Sequence, residues 1–178
     1  MTQTLILGKR QVLGLASGCI AVALTPCFAA AQGDSDKVKA AMAALQAETE
    51  KLGPPKIEGT DKVAGKDVPV LHFGSVKMNN SSDIVDEVVK EHGGTATLFV
   101  KAGDDYVRVA TNVKKDDGSR AIGTVLDPNG PVIVLIRKGE AYYGETTILN
   151  KPYITGYEPI RDSSGGVIGI YYVGYAKG

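Results

Sequence analysis

Lys151-Pro-Tyr-Ile-Thr-Gly-Tyr-Glu-Pro-Ile-Arg161, Asp162-Ser-Ser-Gly-Gly166 and Val167-Ile-Gly-Ile-Tyr-Tyr-Val-Gly-Tyr175 follow one another near the end of the chain. The outer two runs are rich in aromatic and β-branched residues, which suit a pleated, half-buried surface. The middle run contains only turn formers. Two such strands joined by so short a turn must lie side by side and antiparallel. Asn150-Lys151-Pro152 joins the first of them to a third β-rich run, Glu140–Leu149, by the same logic. Further back, Thr95–Lys101 and Tyr106–Thr111 flank Ala102-Gly103-Asp104-Asp105, another hairpin signal. Asp116-Asp117-Gly118 marks a further turn. The outcome is an antiparallel sheet of about five strands.

Upstream of the sheet the pattern changes to a helical period. Asp34–Leu52 holds no proline or glycine, and Val38, Met42 and Leu45 recur on one face before Gly53-Pro54-Pro55 stops the helix. Gly59–Asp67 is polar and reads as a loop. Val68–Phe73 and Val76–Met78 read as short strands around a Gly74-Ser75 turn. Residues 82–92 read as a second helix, closed by Gly93-Gly94. Pro131–Lys138 stays undecided, because its β-branched content favours a strand and its isolation favours a short helix. A leading helix, small elements and then an antiparallel sheet make the chain α+β.

The first 31 residues stand apart. Lys9-Arg10 precedes an almost wholly apolar run from Val12, which closes on Ala29-Ala30-Ala31, and no acidic residue occurs before Asp34. A basic start, an apolar middle and an Ala-x-Ala end are the parts of a secretory signal peptide. Residues 1–31 are therefore read as a leader and 32–178 as a single domain. An uncleaved anchor is the alternative, since the run is close to the roughly 17–20 residues needed to span a bilayer. Intact mass of the exported protein is expected to match a chain that starts at Gln32. Recovery from membranes alone, with residues 1–31 attached, would contradict this.

Cys19 and Cys27 leave with the leader, so the remaining domain has no disulfide, thiolate nucleophile or cysteine ligand. Its charge of −2, from 18 basic and 20 acidic residues, gives no footprint for nucleic acid. It contains no second apolar run of spanning length, and no membrane span is expected after cleavage. His72 and His92 lack metal-ligand spacing, and no nucleophile elbow, phosphate loop or dinucleotide fingerprint occurs. Neither catalysis, metal nor cofactor is expected.

Several ordered motifs resemble a known family. They are Asp104-Asp-Tyr-Val-Arg-Val-Ala-Thr-Asn-Val113, Asp117-Gly-Ser-Arg-Ala-Ile-Gly-Thr-Val-Leu-Asp127, Tyr143-Gly-Glu145, and the hairpin quoted first. Together they resemble the single Cache domain of Cache 3/Cache 2 fusion type, as in the extracytoplasmic sensor domains of methyl-accepting chemotaxis receptors. The resemblance implies a PAS-like fold, with a central antiparallel sheet, a long N-terminal helix and a pocket between the sheet and the loops above it. It also implies a helix at Pro131–Lys138, and a small organic-acid or amino-acid ligand. In such receptors the last strand leads into a membrane helix, whereas here the sequence stops after Val173-Gly-Tyr-Ala-Lys-Gly178. The expectation is a periplasmic or secreted ligand-binding domain acting with a separate, membrane-bound signalling partner. The rival is an assembly protein that reuses the fold to self-associate.

Candidate ligand contacts come from strand alternation. Lys151, Tyr153, Thr155 and Tyr157 share one face, and an ammonium, phenols and a hydroxyl together suit an anionic metabolite. A solvated sheet face would give the same alternation. Arg108, between Val107 and Val109, could take a carboxylate bidentately or form a surface ion pair. Tyr142 and Tyr143 point to opposite faces, so one of them lines the pocket; Tyr143 joins Arg108, Lys151, Tyr153 and Thr155 as the expected ligand-binding set. Arg120 is read as a brace toward Asp127.

Overall fold

Alternating burial along the strands organises the fold, described by a computed structural model for residues 27–177. Residues 1–26 of the expected leader lie outside the described residues, and its last five, Cys27–Ala31, begin helix α1 (Cys27–Glu50). The helix thus starts at Cys27 rather than Asp34, which places Asp34 and Asp36 within it. Five strands form the main sheet: β4 (Thr95–Ala102), β5 (Asp105–Thr111), β6 (Tyr142–Ile148), β7 (Lys151–Arg161) and β8 (Val167–Ala176). Their order is β5-β4-β8-β7-β6, and every neighbour pair is antiparallel.

Each face of this sheet carries its own core. Leu98, Val100, Val107, Val109, Ile160 and Val173 pack with Val38, Met42 and Leu45 of α1 and with Val85 and Val88 of α2 (Asp83–His92). On the opposite face Phe99, Tyr106, Tyr157, Ile170 and Tyr172 pack with Val132, Ile133 and Ile136 of α3 (Pro131–Arg137). Adjacent residues such as Leu98 and Phe99 therefore belong to different cores, as the two-residue period of a strand requires. Pro131 fits the first turn of α3, where no amide partner is needed. Its buried positions 132, 133 and 136 give a helical stripe, and packing on the sheet overrides the β-branched propensity.

The segment expected as a loop, Gly59–Asp67, is instead a hairpin. β1 (Pro55–Val63) and β2 (Lys66–Phe73) pair around Ala64-Gly65, both at positive φ, and β3 (Val76–Lys77) completes a second, three-stranded sheet. β1 is exposed along most of its length, so it lacks the apolar alternation by which a strand is recognised. Arg120 is a brace, but to a different acid. Its guanidinium donates to both carboxylate oxygens of Asp86, at 2.8 and 2.7 Å, and to the Thr111 carbonyl, tying α2 to the end of β5. Among the described residues no helix is long and apolar enough to cross a membrane.

Candidate ligand-binding site

The site grows from the edge strand β5. The segment after residue 120 runs back along it: Gly123 N–H donates to the Arg108 carbonyl, Arg108 N–H to the Thr124 carbonyl, and Leu126 N–H to the Tyr106 carbonyl. These bonds cover the strand's outer edge and hold the loop over the α3 face of the sheet. Arg108 points to that face, opposite Phe99 on β4, with its guanidinium 5.0 Å from the ring centroid. It is only 6% exposed.

A buried guanidinium normally has a carboxylate, because charge without a partner is costly in a low-dielectric interior. Arg108 has none among the described residues. Its Nη1 donates to Thr124 Oγ1 at 2.9 Å, and its Nε has no hydrogen-bond partner. Burial pulls its pKa down, opposed by the neighbouring Tyr172 and Tyr157, yet a guanidinium stays charged in proteins. Tyr157 is almost fully buried, its ring centroid 4.9 Å from that of Tyr172, and burial pushes its pKa up to about 12. Both phenols are therefore neutral donors near pH 7.

Arg108, Thr124 and Tyr157 border a cavity of about 460 Å³. One wall is the sheet, with Arg108 and Tyr157; the roof is Thr124–Asp127 and the start of α3; the far side is Glu145–Leu149. A cavity of this size, mostly apolar with a few convergent polar groups, suits a small organic ligand. Arg108 would fix an anionic group in it. No cluster of His, Cys, Asp and Glu able to hold a metal occurs among the described residues.

The expected residues separate under this geometry. Arg108 lines the cavity. Tyr153 is half-buried against the α3-side core, while Thr155 is fully buried, its hydroxyl donating to the Gly144 carbonyl at 2.9 Å. Tyr143 lies on the α1 side, where its hydroxyl donates to Glu158 and its ring abuts Gly156. Tyr142 takes the α3 face instead, edge-on to Tyr157. Lys151 is exposed at the turn, with Nζ 3.6 Å from Asp116. Of the expected set only Arg108 borders the cavity: Tyr143 faces the other layer, Lys151 sits beyond the rim, and neither Tyr153 nor Thr155 is part of the lining.

Tyr157 was visible in the alternation that selected Tyr153 and Thr155. Thr124 and Asp127 were not, since a loop carries no period that marks a lining; Thr146 lies on β6, whose alternation does not tell which face holds the cavity. Residues 27–178 match the family description of the Cache 3/Cache 2 fusion domain. No curated protein matches the chain.

Proposed function

Because the chain belongs to the Cache 3/Cache 2 fusion domain family, we propose that it senses a small carboxylate, an organic acid or an amino acid, in the cavity at Arg108. Members of that family are generally extracellular domains that sense small molecules rather than catalyse reactions. The carboxylate is favoured by one observation: Arg108 lines the cavity as a buried cation that pairs with no acid among the described residues. An incoming carboxylate would accept charge-assisted hydrogen bonds from its guanidinium. The liganded state would then be presented to a membrane-bound signalling partner.

A thermal-shift screen of the protein against organic acids and amino acids tests this. Ligand at about 100 times its Kd stabilises by roughly 2.7 kcal/mol, or several degrees for a domain of this size. Lys151→Ala is expected to leave both affinity and melting temperature unchanged, within about 0.5 kcal/mol, since an exposed ion pair contributes little. Indifference to every carboxylate, or loss of binding in Lys151→Ala, would overturn the assignment.

A further inference from the structure

A second cavity, of about 260 Å³, lies at the far end of α3 from the first. Pro131 and Val132 at the start of that helix line the Arg108 cavity, whereas Ile136 and Arg137 at its end line this one. Lys101 and Tyr106 line it from the sheet. They stand directly opposite each other on β4 and β5, on the face that carries Phe99 and Arg108. Arg137 reaches the same place from α3, its guanidinium donating a long hydrogen bond to the Asp104 carbonyl at 3.4 Å.

Tyr106 is the unusual member. It is 2% exposed, and its ring packs in the α3-side core. A buried tyrosine normally finds a partner for its hydroxyl. Tyr171 and Tyr172 follow this rule on Thr49 and Thr95, at 3.0 and 3.1 Å. The Tyr106 hydroxyl makes no hydrogen bond among the described residues; burial raises its pKa, and only the nearby Arg137 charge opposes this. The hydroxyl therefore ends near Arg137, in the cavity that both residues line. Lys101 and Arg137 join no ion pair among the described residues, although Asp104 lines the same cavity.

We propose that this cavity binds a phosphate group, as inorganic phosphate or a small phosphomonoester. Three donors meet there from three elements: an ammonium on β4, a hydroxyl on β5 and a guanidinium on α3. A tetrahedral anion offers an oxygen to each, whereas a carboxylate offers only two, in one plane. Two cationic charges match a phosphate dianion. Asp104 opposes them, as a carboxylate at the rim.

The test uses the full chain, titrated separately with inorganic phosphate and methyl phosphate and followed by calorimetry. Tyr106→Phe removes only a hydroxyl that bonds nothing in the fold. Its melting temperature is expected to hold while phosphate binding falls about tenfold. Lys101→Gln, at an exposed position, should weaken binding at least as much. Asp104→Asn keeps a turn former and should tighten binding severalfold, because a repelling charge leaves the rim. Arg108→Leu should leave phosphate affinity unchanged, since that side chain lines the other cavity. Binding with this pattern supports the proposal, inorganic phosphate alone identifying the free ion and methyl phosphate a phosphomonoester. Binding that survives both Tyr106→Phe and Lys101→Gln, or that is lost in Arg108→Leu, puts the anion elsewhere and overturns it. So does the absence of binding by both probes at about 10 mM.

Discussion

Arg108→Leu is expected to lose carboxylate binding by about a hundredfold or more while melting no lower than the parent protein. Two charged hydrogen bonds contribute roughly 1.5–3 kcal/mol each, and a hundredfold change is about 2.7 kcal/mol. The stability half of the expectation follows from what the guanidinium does in the unliganded fold. It makes one hydrogen bond, to Thr124 Oγ1, and a contact with the Phe99 ring. Against these stands a buried charge with an unpartnered Nε. Exchanging an imperfectly satisfied buried charge for an apolar side chain of similar volume is often neutral or stabilising. Thr124 keeps a partner in the variant, since its hydroxyl also donates to the Ala121 carbonyl at 2.8 Å. Calorimetry and a melting curve read the two halves separately. A fall of several degrees with binding intact would make Arg108 a structural residue.

Gly74→Ala is expected to cost the fold more than about 3 kcal/mol, a drop in melting temperature of order 10 °C. Gly74 has φ +57, where an L side chain already costs roughly 1–2 kcal/mol. A Cβ there would also lie 2.0 Å from the Leu52 carbonyl oxygen, which is backbone and cannot swing aside. The contact is part of a crossing in which a Cβ on Gly53 would lie 3.0 Å from Gly74 Cα, and Gly74 N–H donates to the Pro54 carbonyl. The end of α1 is thereby seated on the β2–β3 turn. Gly103→Ala is the control, with φ +64 and nothing within 4 Å of a built Cβ. It should lose only the conformational part, about 1–2 kcal/mol. Equal losses at the two positions would mean that the crossing does not constrain the fold.

Those two glycines show what the sequence could and could not reveal. Gly53-Pro54-Pro55 reads as a helix stop and Gly74-Ser75 as a turn, because both are local signals. Their contact is not legible, because nothing local connects residue 53 to residue 74. The hairpin of β7 and β8 was readable from its turn and its alternation, and its core positions followed. β1 was not, since an exposed strand pairs through its backbone and needs no apolar side chains. α3 was expected through the family resemblance, against the propensity of Val132, Ile133, Val134 and Ile136.

The candidate site divides the same way. A mid-strand arginine flanked by valines marks Arg108 as unusual, but whether an acid meets it depends on chain segments remote in sequence. Alternation correctly puts Lys151, Tyr153 and Thr155 on one face, yet it does not say how far along that face the cavity extends. Lys151 falls beyond it and Thr155 lies beneath the surface, bonded to Gly144. Of the Tyr142-Tyr143 pair, Tyr142 takes the face of Tyr157, because the strand register opposes the two, yet neither borders the cavity.

The account rests on a buried guanidinium that pairs with no acid among the described residues, and that group can be observed directly. In the protein labelled with nitrogen-15 arginine, the Arg108 Nε–H resonance is identified by its absence from Arg108→Leu. Adding the carboxylates found in the screen is expected to move that resonance markedly, as the guanidinium gains a charged partner. A resonance that stays in place while those carboxylates bind elsewhere on the protein would contradict the account.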